Sequence, residues 1–125
     1  MKTYGKKTWL IPDAFLGSES ANELITHEAV CVINTSPDEA EIRLTAIFED
    51  RDPMDNFISY CGAGRTHHIR LDKLRSTSGE EIPLDTPYAL LVESNVPIVV
   101  QYSRLDASHA ELALMTTMAW SPDED

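Results

Sequence analysis

The chain has 125 residues, 21 acidic and 10 basic, for a net charge of −11 and a pI near 4.6. That length is one domain's worth and buries about two-thirds of its unfolded surface without staples, while the charge argues against a general nucleic-acid binder, whose affinity comes from clustered Lys and Arg. No apolar run approaches the roughly 18 residues of a membrane-spanning helix, and Cys31 and Cys61, in no CxxC pair, read as reduced, buried thiols of a cytoplasmic protein.

Met1 to Lys7 is basic, but Pro12 interrupts Trp9-Leu10-Ile11 before a signal-peptide core can form. His27-Glu28 leads into the apolar Cys31-Val32-Ile33, and Asn34-Thr35-Ser36-Pro37-Asp38 supplies turn chemistry. Between Glu41 and Glu49 the residues Ile42, Leu44, Ala46 and Phe48 alternate with more polar ones, the pattern of a strand with one wet face. Asp50 to Asn56 is a turn, Phe57 to Cys61 a strand, and Gly62-Ala63-Gly64 a bend before a strand that starts at Arg65.

Leu71 to Leu74 is a short helical turn at most, and Ser76 to Glu81 is expected to be a mobile loop. Tyr88 to Glu93 and Ile98 to Tyr102 read as an antiparallel pair joined across Ser94-Asn95-Val96-Pro97. The stretch from Ala107 opens with helix formers, but its end alternates, placing Leu112, Leu114, Thr116, Met118 and Trp120 on one side, so a final strand is predicted. The domain is expected to span 1–120, with 121–125 a frayed acidic tail. Seven or eight short strands without a repeating helix make a single-domain, all-β antiparallel sandwich of jelly-roll type.

Two of these strands carry polar groups at strand positions. In Arg65-Thr66-His67-His68-Ile69-Arg70, period-two alternation puts Thr66, His68 and Arg70 on one face and Arg65, His67 and Ile69 on the other. Gln101 and Arg104 differ in parity, so they share a face only if the strand bends between them. Each polar group has two readings: a ligand contact, or a wet sheet face and an Arg104–Asp106 ion pair closing a strand end. His27-Glu28 is either a surface pair at a strand entry or an oriented acid–base pair. No HxH, HExxH or HxxxH spacing, GxSxG elbow or phosphate loop is present, so no catalytic residue, metal or cofactor is expected.

Trp9, His27-Glu28, the Arg65 to Arg70 strand, and the block from Ser94 to Asp106 followed by Ala110-Glu111-Leu112-Ala113-Leu114 resemble the Anabaena sensory rhodopsin transducer family. The resemblance covers nearly the whole domain, and the Ser94 to Asp106 block is its most specific part. It implies a compact β-sandwich that assembles as a homotetramer, with its polar residues at one site that takes a small, sugar-like molecule. Carried over residue by residue, that site is Trp9, His27, Glu28, Arg65, Thr66, His68, Gln101 and Arg104. Two stretches depart from the family pattern: Asp13-Ala14-Phe15, where a glycine tends to precede the aromatic residue, and Gly62-Ala63-Gly64, where proline is frequent. The expected function is a non-enzymatic sensory module with a rhodopsin-like receptor as a candidate partner. A metal-independent enzyme on a sugar or sugar acid and a structural adaptor are the alternatives.

Overall fold

A computed structural model of the chain describes residues 1–21 and 24–124. It contains seven strands, β1 (Lys6–Phe15), β2 (His27–Asn34), β3 (Ala40–Phe48), β4 (Met54–Cys61), β5 (Arg65–Arg70), β6 (Pro87–Asp106) and β7 (Ala113–Met118), and no helix among the described residues. All pairings are antiparallel, in a curled sheet. One half runs β4-β3-β6-β1 and the other β5-β2-β6-β7, so β6 is an inner strand of both. The alternation expected at Ile42, Leu44, Ala46 and Phe48 is present: the first three are fully buried and join Val30, Val32, Leu90, Val92, Ile98 and Val100 in one core, and Phe48 is partly buried against it. Each of the larger side chains contributes about 1.5–3 kcal/mol by leaving water.

The expected pair of strands at Tyr88–Glu93 and Ile98–Tyr102 is instead the single 20-residue strand β6. Ser94 to Pro97 has turn composition but does not reverse the chain; it is where β6 leaves β3, after the Ile42–Ser94 pair, and joins β2. On the neighbouring β1, Thr8 pairs with Glu93 and Lys6 with Ile98, so Lys7 alone spans the irregular stretch. Asn95 fills a turn-like role with its side chain, accepting from the Glu41 N–H at 2.8 Å while its amide approaches the Glu39 carbonyl. Inward parity survives the bend, from Tyr88, Leu90 and Val92 to Ile98, Val100 and Tyr102.

Two residues hold this bend. The Trp9 indole N–H donates to the carbonyls of Ile98 (3.1 Å) and Lys6 (3.0 Å). Gly5, at φ +108°, lies so close that a Cβ there would stand 2.0 Å from the Ile98 oxygen. Strand β1 was hidden by Pro12, which falls in the register shift between Ile11 and Ala14, where its missing N–H breaks no regular ladder.

Two other expectations change. Ser76 to Glu81 is a tied turn rather than a free loop: the buried Ser76 hydroxyl accepts from the Ser78 and Glu80 N–H groups, and the Thr77 N–H donates to Asn56. The C-terminal segment is docked on β1 beyond β7. Leu10 and Trp120 exchange backbone hydrogen bonds, the Ser121 hydroxyl donates to the Thr8 carbonyl, and Lys6 Nζ donates to the Asp123 carbonyl at 2.6 Å. Asp125 lies outside the described residues.

Gly5→Ala combines a left-handed backbone with a collision against Ile98, and it is expected to lower stability by about 2 kcal/mol or more. Gly79→Ala, also at positive φ (+85°) but with nothing within 4 Å of the new Cβ, is expected to cost about 1 kcal/mol. Urea denaturation midpoints of the two variants check the difference.

Candidate ligand-binding site

Register and parity place Glu28 directly opposite Arg104, both on inward positions where β2 and β6 approach the open end of the core. Glu28 is completely buried, so each carboxylate oxygen needs a partner. Oε1 accepts from the Tyr88 hydroxyl at 2.6 Å and Oε2 from the Phe15 N–H at 2.8 Å, with Arg104 Nε at 3.5 Å. Burial pushes the Glu28 pKa above its ordinary value, and the hydrogen bonds from Tyr88 and Phe15 and the nearby Arg104 charge only partly oppose this. Tyr88 is pushed far upward, first by burial and then by the Glu28 charge, so its hydroxyl remains a donor.

Arg104 is held at one nitrogen. Its Nε donates to the Tyr102 hydroxyl at 3.1 Å, and the guanidinium carbon lies 5.7 Å from the centre of the Tyr102 ring. Nη2 is shut off from solvent and has no hydrogen-bond partner among the described residues; Asp13 Oδ1, at 3.8 Å, is too far to bond. The ion pair expected with Asp106 is therefore replaced by Glu28 and Asp13. Asp106 instead accepts from the Ser108 N–H (2.9 Å) and hydroxyl (2.6 Å), which hold its pKa low.

Arg104 lines a cleft of about 280 Å³ with Phe15, Gly17, Glu19, Thr26, Asp85, Asp106 and Ser108. That is near the lower end of the roughly 300–1,000 Å³ of small-molecule sites, and it fits a molecule of monosaccharide size. Its walls offer one aromatic ring, two hydroxyls, one guanidinium and three carboxylates.

The eight residues expected at one site are divided. Glu28 and Arg104 meet, with Arg104 lining the cleft and Glu28 buried behind it. Thr66, His68 and Gln101 lie on the outward face of the β5-β2-β6-β7 half, where with Cys31, Val32, Ile33, Val99 and Met118 they line a shallow concavity of about 150 Å³. Arg65 is exposed and pairs with Asn34, six residues along β2 from Glu28, or about 20 Å in an extended strand. Trp9 is buried at the bend with its N–H in use. His27 points outward with Nδ1 donating to the Ile25 carbonyl, near the Asp72 carboxylate that Arg70 grips with two 2.8 Å bonds. His67 turns inward, to the Ser59 hydroxyl at 3.1 Å, while His68 is exposed, as parity required.

Phe15, Tyr88, Tyr102, Asp13, Asp85 and Thr26 were not foreseen at the site. Tyr88 and Tyr102 share the inward parity of Arg104 on one strand, a signal that appears only once β6 is read as continuous.

A profile of the Anabaena sensory rhodopsin transducer family matches residues 4–121. The chain belongs to this family. Two solved structures show the same fold. Thermotoga maritima 1070, a crystal structure, is 35% identical, with a TM-score of 0.86 over 97% of this chain and 98% of that one. The Anabaena sensory rhodopsin transducer is 30% identical, with a TM-score of 0.73 over 82% of this chain and 99% of its own. No curated protein sequence matches. Among the described residues, no helix is long and apolar enough to cross a membrane.

The buried Glu28–Arg104 pair and the half-buried Asp72–Arg70 pair have opposite pH signatures. The folded-state pKa of Glu28 is raised, so its contribution to stability is complete below its ordinary value of 4.5 and is lost as pH rises through the raised value. For Asp72, burial alone would raise the pKa, but the Arg70 bonds hold it below 3.8; its contribution is present above that pH and is lost as pH falls through the lowered value. Denaturation from pH 3 to 8 is therefore expected to give a stability difference, wild type minus Glu28→Gln, that declines with rising pH. The difference for Asp72→Asn is expected to decline with falling pH.

Proposed function

We propose that this chain is a non-enzymatic sensory module that binds a small, hydroxyl-rich, sugar-like molecule in the Arg104 cleft. It works in the cytoplasm as a homotetramer and passes its bound state to a receptor-type partner. The observation that carries the ligand reading is Arg104: a guanidinium anchored through Nε, set against the Tyr102 ring and lining a cleft. The part of this side chain that faces the cleft, 23% exposed, is a charged donor, and a ligand oxygen that accepts from it gains a charge-assisted hydrogen bond. The Phe15 ring and the Ser108 hydroxyl, with the wall carboxylates, complete a surface suited to a small polyol.

Family membership supports the transducer role, since the Anabaena relative is by name a sensory rhodopsin transducer. A net charge of −11 suits a partner with a basic face, which the cytoplasmic side of a membrane receptor presents. Assembly is supported by β7, an edge strand exposed at every position. Leu114, Met118 and Trp120 are 76%, 57% and 59% exposed, beside the outward Ile33. Thr66, His68 and Gln101 open onto this face, which makes them contacts between copies or a polar site completed by a second copy. The ligand acts by population shift, favouring the subunit arrangement that binds it better.

The test is a thermal-shift screen against neutral, acidic and amino sugars, with light scattering on the same samples. A ligand at a hundred times its Kd stabilises by about 2.7 kcal/mol, on the order of 10 °C for a domain of this size, and Arg104→Ala is expected to remove the shift. Absence of any shift overturns the ligand reading. A monomeric mass overturns the assembly, whereas Leu114→Asp is expected to reduce a tetramer to smaller species.

A further inference from the structure

The cleft's electrostatics narrow the ligand further, on the premise that the Arg104 cleft is the binding site proposed above. Glu19, Asp85 and Asp106 line it against the single guanidinium of Arg104. Two of these carboxylates are fixed in place. Asp85 accepts from the Ser18 hydroxyl (2.5 Å) and N–H (3.0 Å), and Asp106 accepts through Oδ1 from Ser108. In both cases hydrogen bonds from the serine hydroxyl and N–H keep the carboxyl ionised. Each still has open lone pairs, because a carboxylate offers about four acceptor sites and the serines use two.

An anionic ligand drawn to Arg104 would thus meet three negative charges on the walls and Asp13 beside the guanidinium, within a chain whose net charge is −11. Arg104's own charge is already partly answered by Glu28. A neutral polyol satisfies the guanidinium but leaves the wall carboxylates with only water. A ligand with acceptor oxygens at one end and a protonated amine at the other answers both: the oxygens accept from Arg104, and the ammonium donates to Asp106 and Asp85. Opposite charges attract a cation into such a concave site and like charges exclude an anion of the same shape.

We propose that the Arg104 cleft is selective for a hydroxyl-rich amine, of the amino-sugar class, over neutral or acidic sugars of the same size. Three probes with one ring shape and different charge test this: glucosamine, glucose and glucuronate, each titrated by calorimetry at pH 7 in 20 mM and 200 mM salt. Glucosamine is expected to bind about five- to tenfold more tightly than glucose, with the advantage shrinking at high salt, and glucuronate is expected not to bind.

Asp106→Asn and Glu19→Gln keep shape and acceptor oxygens while removing charge, and each is expected to bring the glucosamine-to-glucose ratio towards one without loss of glucose affinity. Asp106→Asn remains informative if the Glu19 variant folds poorly, and the reverse holds too. Equal affinity for glucosamine and glucose in the wild type, or a ratio unchanged in both variants, overturns the charge selectivity and leaves the binding reading standing. No binding of any of the three probes to a folded protein overturns both.

Discussion

Everything in this fold depends on one strand belonging to two half-sheets. Strand β6 is an inner strand on both sides of its bend, so a change in its path at Ser94 to Pro97 would move β1, β2, β3 and β7 together. The bend is stabilised from outside its own sequence, by an indole donor and by the absence of a side chain at Gly5. Because parity is preserved across it, the inward positions of the whole strand form one line that ends in Tyr102 and Arg104. The Arg104 cleft is the polar end of that line.

At that end the protein buries a carboxyl group, two phenols and part of a guanidinium within a largely apolar interior. Each Glu28 oxygen is used, and Arg104 is hydrogen-bonded through Nε with the Asp13 carboxylate 3.8 Å from Nη2. Such an arrangement holds the cation rigidly at the wall of the cleft. Tyr88 and Tyr102 supply the rigidity: each is buried and each hydroxyl touches a charged group.

Alternation made β3 and the final strand readable, and it separated His67 from His68 and Gln101 from Arg104 onto opposite faces. It failed where composition and tertiary context disagreed. Ser94-Asn95-Val96-Pro97 has every mark of a turn, and only the surrounding strands keep it extended. Pro12 suggested a break, yet it sits in a bulge. The family resemblance carried the identity of the polar residues but not their grouping, because grouping depends on strand register: Arg65 and Glu28 lie at opposite ends of β2's ladders. Glu28 and Arg104 could not be paired before β2 was known to lie beside β6, and the tied turn at Ser76 depends on one buried hydroxyl that no composition rule marks.

The docking of the C-terminal segment along β1 has a mechanical meaning. Leu10 faces Trp120, Thr8 receives Ser121, and Lys6 reaches Asp123, so the two ends of the chain run antiparallel and leave the domain at the same place. A force pulling the termini apart would load these bonds one at a time, as a zipper is opened, rather than all at once in shear. That seam therefore opens under little load, and peeling it would leave β1, whose Trp9 pins the bend of β6, held by its ladder to β6.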